Sequence, residues 1–147
     1  LRRNDIDSND GFSLVEILIT VAIVGITFTA ILGGLITTIT ASAYQRKAAT
    51  ADAIVRSAAE LVKDSVRNPY ANCAGSGAYS LAGLSVPAGF SVTIQGVKYW
   101  DGQPVPPGDM VKFTSNCDHG MQQISIQATS SDGQATETLQ VIKRSVP

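Results

Sequence analysis

Charge is absent from Ile17 to Gln45, twenty-nine positions filled mainly by Ile, Leu, Val, Thr, Ala and Gly. As a helix this stretch is roughly 43 Å long at about 1.5 Å per residue, more than the roughly 30 Å of a bilayer's hydrocarbon. A membrane-spanning helix is predicted. Within it Gly25, Thr29, Gly33, Thr37 and Ala41 recur every four residues, while Phe28, Ile31, Leu32, Leu35, Ile36 and Ile39 are large. Small residues let helix backbones approach closely in lipid, where apolar burial gives no drive to associate. A four-residue step overshoots a full turn by about 40°, so the small ridge winds around the helix and offers itself to neighbours on more than one side. The ordinary abundance of Gly and Thr in membrane helices would give the same pattern without any such role.

Past Gln45 the helical period continues while polarity rises. Ala51, Ile54, Val55, Ala58, Leu61, Val62 and Val66 fall on one face, with Arg56 and Glu60 as an i,i+4 pair on the other. Asn68-Pro69 stops the pattern, because the residue before a proline is pushed out of the helical region. The predicted helix therefore runs from about Ser13 to Arg67, roughly 80 Å if unbroken.

Beyond Tyr70 the period changes to two. Phe90, Val92 and Ile94 alternate with Ser91, Thr93 and Gln95, and after Gly96 the phase flips to Val97 and Tyr99, which predicts a bulge. Ile124, Ile126 and Ala128 alternate with polar residues, and Asp132-Gly133 turns the chain into a partner strand over 136–143. Asp101-Gly102 and Pro107-Gly108 mark further turns, with a short strand between Met110 and Thr114. Three or four antiparallel strands on the helix's apolar face make an α+β fold, a long N-terminal helix packed on a small antiparallel β-sheet.

The entry to the apolar run is Gly11-Phe12-Ser13-Leu14-Val15-Glu16, with a lone acid pressed against the membrane segment. A carboxylate in the first turn of any helix is favoured by the macrodipole, by roughly 0.3 to 1 kcal/mol. An ionisable group at a membrane span is also a functional hypothesis by default, because a charge at the bilayer centre costs about 2.5 to 3.5 kcal/mol on insertion scales. The six residues together resemble the cleavage and methylation signature of type IV pilins and type II secretion pseudopilins. That resemblance covers about the first quarter of the chain. It implies cleavage of the Gly11-Phe12 bond, N-methylation of Phe12, and an assembly role for Glu16. It divides the chain into a leader (1–11), a membrane and assembly helix (12–45), an amphipathic continuation (46–67) and a β-rich extracytoplasmic domain (68–147). The implied partners are other pilin or pseudopilin subunits, a prepilin peptidase and methyltransferase, membrane lipid, and an inner-membrane assembly platform. The implied location is the inner membrane first and an extracytoplasmic filament afterwards.

Several features modify this picture. The leader departs from the usual basic one, since Asp5, Asp7 and Asp10 outnumber Arg2 and Arg3, and it opens on Leu1, so the true start is expected upstream or at a non-standard codon. Arg2 and Arg3 lie before the span, but Arg46 and Lys47 sit immediately after it, so basic residues do not orient it. A cleaved secretory signal is the rival reading, with Ala41-Ser42-Ala43 as its site, but the apolar core is well beyond the 7 to 15 residues of such a signal.

Eleven Lys and Arg face twelve Asp and Glu over 147 residues, and no basic patch points to nucleic acid. About 100 residues remain outside the membrane, enough for one core. Cys73 and Cys117 are the only cysteines; in a small exported domain they read as one disulfide, with two buried thiols as the alternative.

Catalytic chemistry has one place to begin, Cys117-Asp118-His119, but adjacent loop positions rarely place a nucleophile against its base. No zinc-ligand spacing is present, and Asp101, Asp109, Asp118 and Asp132 lack a calcium-loop pattern. No catalytic residue, metal or cofactor is therefore expected. Tyr99-Trp100 reads as core edge or as an exposed binding patch. The function expected is a structural filament subunit, on the side of a minor pilin or pseudopilin because of the hairpin ending at Glu137 to Arg144. The alternative is a bitopic membrane-anchored binding protein.

Overall fold

The computed structural model describes residues 13–107, 110–117 and 119–145. Helix α1 spans Leu14–Lys63, followed by a 3-10 turn at Ser76–Ala78 and strands β1 (Phe90–Trp100), β2 (Phe113–Thr114), β3 (Met121–Ser130) and β4 (Thr136–Arg144). The chain divides into two units, one ending at Ser42 and the other beginning at Ala43.

In the first unit every described residue is exposed, from Leu14 at 77% down to Leu32 at 44% among the large apolar ones. A helix with no buried face in water is one that water does not surround. Its threonine hydroxyls are bonded within the helix itself. Thr20 donates to the Glu16 carbonyl at 2.7 Å, Thr37 to Gly33 at 2.9 Å and Thr38 to Gly34 at 2.9 Å. Such back-bonding removes hydroxyls that lipid could not otherwise accommodate.

In the second unit the remainder of α1 lies on an antiparallel sheet of order β2-β1-β3-β4, giving the α+β fold. The helix buries Ala51, Ile54, Val55, Ala58, Ala59 and Val62. Opposite them stand Ile124, Ile126 and Ala128 of β3 and Val141 of β4. Ala59 replaces Leu61 on the buried face, and Val66 is 89% exposed, so the apolar stripe is shorter than its sequence spacing suggests. The reason is the early helix stop.

That stop falls at Lys63, four residues before Arg67. Asp64 Oδ1 accepts the backbone N–H groups of Val66 (2.8 Å) and Arg67 (3.4 Å), drawing the chain into a turn that competes with the helical ladder. Side chains then satisfy the final carbonyls. Asn68, 2% exposed, donates to Leu61 O at 2.9 Å and Ser80 O at 3.0 Å, and its oxygen accepts Ser80 N–H at 2.6 Å. Lys143 reaches from β4 to Val62 O at 2.7 Å, 5.6 Å from the centre of the Tyr79 ring. A cation at a helix C-terminus is favoured by the dipole, and a ring face adds to it. Burial nevertheless pushes the Lys143 pKa down, and Asp64 opposes that shift.

The pairing on the outer helix face also differs from the sequence pattern. Arg56 pairs with Asp52 at 2.8 Å, and Glu60 with Lys63 at 3.3 Å, instead of Arg56 with Glu60. An acid one turn N-terminal to its base is the better orientation, which Asp52-Arg56 satisfies and Arg56-Glu60 reverses.

The bulge lies between Ile94 and Gly96, where the register of β1 on β3 shifts. It returns Val97 and Tyr99 to the helix-facing side and keeps both halves of the strand on the core. Strand β2 has only two residues, and the rest of the 110–114 region is irregular among the described residues. At the β3–β4 turn, Asp132 takes Lys47 of α1 as its ion-pair partner and also accepts the Ser130 hydroxyl at 2.7 Å. The lysine above all holds the Asp132 carboxyl well below the usual carboxylate range, with Ser130 and the Gln134 N–H adding to it.

Candidate functional site

Glu16 occupies the first turn of α1, where Glu16 N–H donates to the Ser13 carbonyl at 2.9 Å and Ile17 N–H shares the same acceptor at 3.2 Å. Its carboxylate has no ion-pair partner among the described residues and is exposed. Gly11 and Phe12 lie outside the described residues. The site thus presents an acid at a helix N-terminus, at the start of an exposed apolar segment running to Tyr44. Such an acid can accept a cation from another molecule.

The second feature is how the segment after α1 is fastened to the sheet. Cys73 is joined to Cys117 with Cα atoms 4.9 Å apart, and Cys73 adopts φ 57°, a left-handed conformation that non-glycine residues rarely take. Around this bridge, Gln122 donates to Ala71 O at 2.7 Å and accepts the Tyr79 hydroxyl, and Tyr99 donates to Ala74 O at 2.9 Å. Gln122 is fully buried, so its amide is acceptable only because both ends are bonded. Segment 68–80 is therefore held by Asn68, Gln122, Tyr99 and the disulfide together.

Sequence reasoning missed Asn68, Gln122 and Lys143 as interior polar residues. Strand phase could have found two of them. Gln122 lies two residues before Ile124, and Lys143 two after Val141, each in step with a buried apolar position. Asn68 carries no such signal, since locally it is only the residue before a proline.

Tyr99 is core, and Trp100 is half-buried at the strand end with its indole N–H buried and unbonded among the described residues. Cys117 is in the disulfide and offers no nucleophile, Asp118 lies outside the described residues, and His119 lies against Gly102. Gly102 has φ +75°, and a Cβ there would come within 2.8 Å of the His119 ring, so only glycine fits. Among the described residues no three His, Cys, Asp or Glu side chains gather as a metal site.

Removing the bridge tests how the segment is held. The Cys73→Ser/Cys117→Ser double variant is expected to lose roughly 2 to 4 kcal/mol of stability, the range for a loop of this kind. It should still fold, because the Asn68, Gln122 and Tyr99 bonds remain, and denaturant unfolding followed by Trp100 fluorescence reads both outcomes. The oxidised wild type should show no thiol to a labelling reagent.

A family model described as the prokaryotic N-terminal methylation motif matches residues 7–32. No curated protein and no solved structure matches the chain. The matched span contains Gly11, Phe12 and Glu16 and more than half of the apolar stretch. The match supports a type IV pilin-like N-terminus, and the exposed apolar helix is long and apolar enough to cross a membrane once.

Proposed function

Because the chain carries the N-terminal methylation motif of type IV pilin-like precursors, we propose that it is a minor pilin or pseudopilin, a structural subunit of a pilus-like or type II secretion filament. It is inserted in the inner membrane with residues 68–147 outside the cytoplasm. A prepilin peptidase cuts Gly11-Phe12, the new Phe12 amine is methylated, and the helix then leaves the bilayer to pack among those of other subunits.

The motif match carries this reading, and two properties support it. The span from Leu14 to Tyr44 is apolar and exposed all round, as a helix destined for lipid or for other helices requires. Its threonine hydroxyls are bonded internally, so their transfer from lipid to a helix bundle breaks no outside partner. The family is structural, so no catalytic role is assigned to any residue. The disulfide fits an oxidising compartment.

Processing is expected to depend on Gly11, since a peptidase at the membrane face would there accept a residue without a Cβ. Gly11→Val should yield a protein retaining residues 1–11 and missing from filaments. Normal cleavage of that variant, read by intact mass, would contradict the site.

A further inference from the structure

The uncharged run from Ile17 to Gln45 rises roughly 43 Å as a helix, within the roughly 40 to 45 Å of a bilayer counted with its headgroup layers. A span of that length puts Tyr44 and Arg46 at headgroup level, because no linker separates them from it. Tyr44 is exposed, and Arg46 is exposed with no ion-pair partner among the described residues. Tyrosine is a residue of the membrane interface. A free guanidinium there matches lipid phosphate, since its planar fork donates two parallel hydrogen bonds and its stem can lie along apolar surface.

Lys47 is engaged elsewhere. It pairs with Asp132 and donates to Gln134 Oε1 at 3.0 Å, which holds the β3–β4 turn close to Arg46. The start of β1 stands beside that turn, with Phe90 opposite Ser130 and Ser131 N–H donating to Gly89 O at 2.8 Å. One end of the second unit is thus built from residues 44–47, 85–89 and 130–135. Its exposed positions include Ser85, Pro87, Ala88, Ser131 and Gly133, all small or uncharged, and its one acid, Asp132, is matched by Lys47. Asp52, the next acid along α1, is taken by Arg56. The other charges without an ion-pair partner lie away from this end. Lys98 opposite Gln123, Arg144 opposite Met121, and Asp101 bonded to Lys112 are at the far end of the sheet, and Glu137 stands up β4 opposite Ala128. The end at 44–47 therefore carries one net positive charge and no unpaired acid that an anionic surface would repel.

We propose that this end is a phospholipid-docking surface. The Arg46 guanidinium takes a lipid phosphate of the leaflet where the span ends, and the turn that Lys47 holds lies on the same headgroups. The inference rests on the reading of α1 as a membrane span and adds to it a surface contact made by the second unit. Leaving the bilayer for a filament breaks that contact, so it holds the subunit in the membrane pool until other subunits replace the lipid.

The test is a photo-reactive benzophenone amino acid at Ser131 in the full-length protein, irradiated in vesicles of phosphatidylethanolamine and phosphatidylglycerol. Intact mass should show a phospholipid adduct. The same amino acid at Asn116, exposed at the far end of the unit, should give little. Arg46→Gln should lower the Ser131 adduct by about fivefold, the weight of one basic residue at an anionic surface. Unreactive thiols show that each variant is folded, and flotation with the vesicles shows that it is inserted. Inserted protein that gives no lipid adduct at Ser131, gives a protein adduct in its place, gives as much lipid adduct at Asn116, or is indifferent to Arg46→Gln overturns the inference alone. Wild-type protein that does not float with the vesicles overturns the membrane reading and this inference with it.

Discussion

Glu16→Ala is expected to insert and be cleaved normally, yet to fall in the filament fraction by about a hundredfold or more. Insertion survives because the change makes the helix more apolar, and cleavage survives because Gly11 is untouched. Assembly fails because the carboxylate has no partner among the described residues of its own chain and awaits a cation. Cleavage would create that cation, the Phe12 amine of a neighbouring subunit. Each ion loses solvation in lipid, so breaking such a pair by removing one partner costs roughly 3 to 5 kcal/mol. That is more than about a hundredfold in an equilibrium constant. A carboxylate that merely favoured its own helix would be worth roughly 0.3 to 1 kcal/mol and would leave assembly near normal. Glu16→Gln keeps the shape and removes the charge, so it should fail similarly. Membrane-pool and filament-pool amounts of both variants read the difference, and wild-type incorporation would refute an assembly role.

Asn68→Ala should be the most damaging single change in the second unit away from its apolar core. It leaves Leu61 O, Ser80 O and Ser80 N–H without their buried partner. Each buried unsatisfied group costs roughly 1 to 3 kcal/mol, so a total loss of about 3 kcal/mol or more is expected. For a domain of about 100 residues that lowers the melting temperature by more than about 10 °C. Asn116→Ala, at an exposed position, should change stability by no more than about 0.5 kcal/mol. Thermal unfolding followed by Trp100 fluorescence compares the two, and equal melting temperatures would show that Asn68 does not anchor the helix end.

These residues also mark where the sequence is readable. The helix, the Gly96 bulge and the Asp132-Gly133 hairpin follow from local periodicity, because each is set by which face of an element meets the core. The motif at Gly11 to Glu16 is legible because membrane insertion leaves it almost no competing composition. The helix end was not legible, since a proline rule at Asn68-Pro69 was overtaken by Asp64 four residues earlier. Nor was the pairing of Arg56, where two acids stood one turn away and orientation chose Asp52. Asn68, Gln122 and Lys143 are polar residues made acceptable by partners 7 to 81 positions away, and no local pattern encodes such distances.

The most direct measurement is the mass and N-terminal sequence of the protein purified from membranes and from sheared filaments. A pilin-like subunit must begin at Phe12, carry one methyl group on that amine, and lack residues 1–11. A chain that still carries residues 1–11, or one cut after Ala43 as a secretory signal would be, contradicts it.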